Sequence, residues 1–105
     1  MNFFRARGFI FHNESGELRI ISPDRKNVYY LNDFASFLFL SLEKPKTVNG
    51  LVKLALAEYD AKEEVLRQDI EDWLKESMKS GFIKNSSKKN NPIIDFFKEI
   101  KRRVS

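Results

Sequence analysis

The chain contains no cysteine, which excludes disulfides, zinc–thiolate centres and a thiol nucleophile, and fits a reducing compartment. It has a single histidine, His12. With no second histidine and no cysteine, a nitrogen- or sulfur-ligated metal site cannot be assembled, and no carboxylate set shows ligand spacing. No Ser–His–Asp set is plausible and no glycine-rich phosphate loop is present. Long apolar runs are also missing. Phe34 to Leu42 is the longest and includes two serines, far below a membrane span. Phe9-Ile10-Phe11 is too short for the apolar part of a secretory signal. The expectation is a cytoplasmic, soluble protein that is not an enzyme and carries neither cofactor nor metal.

What is present is a globular composition, 42% apolar over 105 residues, enough for one domain with a modest core. The net charge of +4 is unevenly placed. Residues 1–83 hold 12 basic and 13 acidic residues, whereas residues 84–105 hold 7 basic and 2 acidic. The body is near neutral and the basicity belongs to the tail.

Three short strands are predicted, at Gly8–His12, Glu17–Ile21 and Val28–Leu31. They are separated by the turns Asn13–Gly16 and Pro23–Asn27 and read as an antiparallel meander. Asn32 is a suitable N-cap for a helix from Asp33 to Leu42, apolar on every side and therefore expected to be central and buried. A second helix runs from Thr47 to Tyr59 with the one-sided stripe Val48, Leu51, Val52, Ala55, Leu56, Tyr59. A third is expected to start after Asp60, with Glu63 completing a capping box, and to end at Gly81. Its buried face is traced by Leu66, Ile70, Trp73, Leu74 and Ser77. The expected division is a domain over 1–84, a polar linker over 85–91, and a basic amphipathic helix over 92–105 opened by Pro92 and striped by Ile93, Phe97, Ile100 and Val104. That last helix would pack on the domain, on a partner or second copy, or on an anionic membrane.

The order of these elements resembles the PqqD-like family, the RiPP recognition elements that serve in making ribosomally produced, post-translationally modified peptides. The resemblance rests on Leu31-Asn32 entering the first helix and on Thr47-Val48, Leu51 and Ala55 in the second. Glu58-Tyr59-Asp60, Val65, Asp69-Ile70, Trp73-Leu74 and Gly81-Phe82-Ile83 complete it, over residues 8–84. Departures are Gly50, where the family usually has glutamate, Glu43–Lys46 in place of a glycine turn, and Ser77 in place of leucine.

The resemblance implies an α+β fold: a winged helix-turn-helix-like arrangement, a three-stranded antiparallel sheet followed by a three-helix bundle. It also implies a non-catalytic chaperone that binds the leader of a precursor peptide as an added strand and presents it to a modifying enzyme or protease. The site would then be Val28, Tyr29, Tyr30 and Leu31 with one flank of the third helix: Val65, Asp69, Asp72, Trp73 and Glu76. The opposite flank (Arg67, Gln68, Glu71, Lys75) competes for that place. In the strand, one of Tyr29 and Tyr30 must face the core and the other outward. The alternatives are a winged-helix DNA-binding regulator and an interaction module docking through its C-terminal helix. A homodimer through that helix or the strand edge is a further expectation. Residues 62–80 carry four basic and six acidic side chains, the wrong balance for a phosphate backbone, so nucleic acid is not expected.

Overall fold

The computed structural model describes residues 1–86. Eight elements follow in order: β1 (Phe3–Arg5), β2 (Ile10–Glu14), β3 (Glu17–Ile21), β4 (Val28–Tyr30), α1 (Asp33–Ser41), α2 (Val48–Glu58), α3 (Glu63–Ser80) and β5 (Ile83–Asn85). β2, β3 and β4 form an antiparallel sheet in sequence order, and β1 pairs antiparallel with β5 in a separate two-stranded sheet.

The first strand lies two residues later than the sequence suggests, at Ile10–Glu14, because Gly8 adopts φ +88° and belongs to the turn entering it. β1 and β5 were not expected. β5 places Asn85 opposite Phe3, and the Ser86 N–H donates to the Asn2 carbonyl at 2.8 Å. Residues expected to open the linker are thus tied to the N-terminus. The rest of that linker and the expected fourth helix lie outside the described residues.

Each helix starts and stops for a local reason. Asn32 caps α1 by accepting the Ala35 N–H, and Thr47 caps α2 by accepting that of Gly50. α3 departs from expectation: its N-cap is Lys62, without a side-chain cap bond, so the capping box from Asp60 does not form. The chain leaves α2 in extended conformation at Tyr59 and uses the following residues to turn between the helices. Glu63 and Glu64 in the first turn still complement the helix dipole. α3 ends at Gly81, φ +95°, whose N–H reaches the carbonyls of Ser77 and Met78.

The core lies where the three helices meet one face of the β2–β3–β4 sheet. Leu18 and Ile20 of β3 join Leu38, Phe39, Leu42, Leu51, Val52, Leu66, Ile70, Leu74, Phe82 and Ile83 in one buried cluster. α1 is not buried all round: Leu40 points to solvent. Arg5 finishes that helix instead of a last-turn cation. Its guanidinium donates to the carbonyls of Phe39 and Leu40, both at 3.0 Å, and stacks over Phe11 and Phe39.

Candidate functional site

The β3–β4 register fixes what the edge of the sheet offers. Arg19 lies opposite Tyr30, Ile20 opposite Tyr29 and Ile21 opposite Val28. Leu31 N–H donates to the Leu18 carbonyl, and Ser22 N–H to that of Asn27, both at 2.9 Å. Hydrogen-bonded pairs alternate along an antiparallel ladder, so Tyr29 exchanges bonds with Ile20. Val28 and Tyr30 then direct their N–H and C=O groups away from β3. Among the described residues β4 pairs with β3 alone, leaving that edge open.

β4 is held rigidly at both ends. At its start, the Ser22 hydroxyl donates to Asp24 at 2.6 Å and accepts the Asn27 N–H at 3.0 Å, while the Lys26 N–H also reaches Asp24. These bonds hold the Asp24 carboxyl below its ordinary value. At its end, buried Ser36 of α1 accepts the Leu18 N–H at 2.9 Å and donates to the Leu31 carbonyl at 3.2 Å.

Between β4 and α3 runs an open hollow of roughly 420 Å³, lined by Val28, Tyr29, Tyr30, Leu31, Trp73, Glu76, Ser77, Ser80 and Phe82. Tyr29 points into the protein, its ring 5.3 Å from that of Phe82, and its hydroxyl donates to the Ser80 carbonyl at 3.4 Å. Tyr30 points outward and is 76% exposed. The half-buried Trp73 ring stands 6.4 Å from Phe82, making an aromatic floor.

Six expected site residues therefore come together: Val28, Tyr29, Tyr30, Leu31, Trp73 and Glu76. Three do not line this hollow. Val65 and Asp69 are exposed, Asp69 one turn before Trp73 on the same flank and Val65 a turn before that. Asp72 faces elsewhere. It accepts from Gln68 at 2.9 Å and borders a second hollow with Phe3, Val48, Glu71, Leu74, Lys75 and Met78. The helical rotation explains this: Trp73, Glu76, Ser77 and Ser80 share the face toward β4, and Asp72 falls outside it. The competing flank of Arg67, Gln68, Glu71 and Lys75 also turns away from β4. Ser77, Ser80 and Phe82 were missed as site residues. Phe82 was legible only as an apolar residue following the helix-ending glycine.

His12 is exposed on β2. No group of three potential metal ligands occurs among the described residues, and no described helix is long and apolar enough to cross a membrane.

A small antiparallel sheet whose β4 strand is open along its outer edge, backed by three helices, is the architecture of a known class of small α+β domains. Residues 17–83 match the family model "Coenzyme PQQ synthesis protein D (PqqD)", and the chain belongs to that family. The fold is similar to that of TbiB1 in complex with the TbiA(beta) leader peptide, at TM-score 0.72 and 16% identity over 78% of this chain and 95% of the other. It is similar to lasso peptide synthetase B1 complexed with the leader peptide, at 0.70 and 13% identity over 79% and 98%. It is also similar to the PqqD truncation of Methylobacterium extorquens PqqCD, a stand-alone RiPP recognition element, at 0.68 and 17% identity over 80% and 89%. No curated protein matches the chain.

Proposed function

We propose that this protein binds the leader segment of a ribosomally made precursor peptide and presents it to a modifying enzyme or protease, without catalysing a reaction itself. The leader adds as a fourth strand along Val28–Leu31 and lays alternate side chains into the hollow against Trp73 and Phe82. The peptide-binding unit is the winged-helix-like body, residues 1–84 with the β5 extension. The protein acts in the cytoplasm, with the C-terminal segment as a dock for a partner or second copy.

The observation that carries this reading is the coincidence of an open strand edge with an aromatic-floored hollow on the same side of β4. Backbone groups supply affinity and the hollow supplies selection, as strand addition requires. The outward N–H and C=O groups of Val28 and Tyr30 offer up to four bonds, about 1 kcal/mol each. Two apolar side chains in the hollow contribute roughly 1.5–3 kcal/mol apiece. Ordering a flexible peptide offsets several kcal/mol of this. The balance of about 4–7 kcal/mol corresponds to an affinity between millimolar and roughly 10 micromolar, suited to a carrier that must release its cargo. The likeness to leader-bound domains supports the same reading.

The DNA-binding alternative finds no support in α3, which carries three basic side chains and six acidic ones.

The test uses peptides selected on the full chain from a random display library, then titrated calorimetrically. Tyr30→Pro removes an outward N–H that the sheet does not use, so binding should be lost while the circular dichroism spectrum and melting temperature stay near wild type. Undiminished affinity in that variant contradicts strand addition.

A further inference from the structure

We infer that the groove selects peptides carrying a lysine or arginine two residues from the apolar side chain that occupies the aromatic floor, with Glu76 as its counter-charge. This inference rests on the strand-addition reading above and names the chemistry of the guest.

An added strand presents every second side chain to the same face. The side chains that share the face of Tyr29 enter the hollow, and those between them turn outward with Val28 and Tyr30. Two consecutive inward positions of the guest therefore meet the α3 wall. That wall is not uniform. Trp73 and Phe82 form an apolar floor, Ser77 and Ser80 are small, and among the described residues Glu76 is the only carboxylate or cation lining the hollow.

Glu76 is free to take a new partner. Among the described residues its one ion pair is with Lys79 at 3.7 Å, between side chains about three-quarters exposed, a pair that contributes little and exchanges readily. The next charge along the same flank, Asp69, is also negative. On the strand side, Val28, Tyr29, Tyr30 and Leu31 bring no charge. A guest carboxylate at this position meets the like charges of Glu76 and Asp69. A guest ammonium or guanidinium meets Glu76 as a charge-assisted hydrogen-bond acceptor, partly shielded from water by the guest backbone itself.

The test again starts from a random peptide library selected on the full chain, with the selected sequences read for composition. A selected peptide and its Lys→Gln (or Arg→Gln) analogue are then titrated against wild type, Glu76→Gln and Glu76→Lys. Glu76 is exposed on α3, so both variants should fold. Expected are enrichment of lysine or arginine at a fixed two-residue offset from an apolar residue, and a loss of about three- to tenfold when the cation is removed in wild type. That loss should vanish in Glu76→Gln, and Glu76→Lys should favour the uncharged analogue. Peptides that bind, are lost in Tyr30→Pro, and show no basic preference or one indifferent to Glu76 overturn this inference alone. Peptides that bind Tyr30→Pro as well as wild type, or a library that yields none, overturn the strand-addition reading with it.

Discussion

Tyr29 and Phe82 lie with their rings 5.3 Å apart, joining the edge strand to the residue that follows α3. The contact sets the depth of the hollow, because it fixes how far β4 stands from the helix. Tyr29→Ala should open that floor, lower stability by about 2 kcal/mol for a half-buried aromatic, and weaken peptide binding as well. Tyr29→Phe should leave both nearly unchanged, since the hydroxyl makes only a long bond to Ser80. Urea unfolding with a parallel titration separates the two effects.

Ser36 is the polar rivet between α1 and the sheet. Ser36→Ala leaves the buried Leu18 N–H without its acceptor and should lower stability by about 1–3 kcal/mol in denaturant unfolding. Faster hydrogen exchange at Leu18 in the variant would accompany it.

Gly50 stands in the first turn of α2 with φ outside the left-handed region and room for a methyl group beside Thr47. Gly50→Ala should raise stability by about 0.5–1 kcal/mol through helix propensity. The melting temperature is the readout, and peptide affinity should not move.

Tyr59 donates to Asp33 at 2.9 Å, and partial burial together with that bond pushes its phenol up to about 12. Its value in the unfolded chain stays near 10. The folded state therefore holds this proton more tightly. The contribution is fully present below pH 10 and is lost as pH rises from about 10 through 12. Alkaline unfolding of wild type should be steeper over that window than that of Tyr59→Phe.

Much of this was legible in the sequence because it is local. The alternation in Glu17–Ile21, the caps Asn32 and Thr47, and the glycine at 81 each act within a few residues. The pairing of β1 with β5 was not legible. It joins residues about eighty positions apart, and neither three-residue strand has a pattern of its own. The bounds of α1 were legible, but the Arg5 bonds to its last carbonyls were not, because Arg5 is far away in sequence. The groove wall was half legible. Spacing identified two flanks of α3, but the choice between them depends on where Phe82 and Tyr29 dock. The helix pattern sets which residues share a face, and the docking decides which face meets β4, so Trp73 and Glu76 lie toward it and Asp72 away.

The most direct measurement is amide hydrogen exchange at Val28 and Tyr30, read by NMR with and without a selected peptide. Both amides should exchange rapidly in the free protein and become strongly protected on binding, while Tyr29, already paired with Ile20, changes little. Binding that leaves Val28 and Tyr30 unprotected would contradict the addition of a guest strand at this edge.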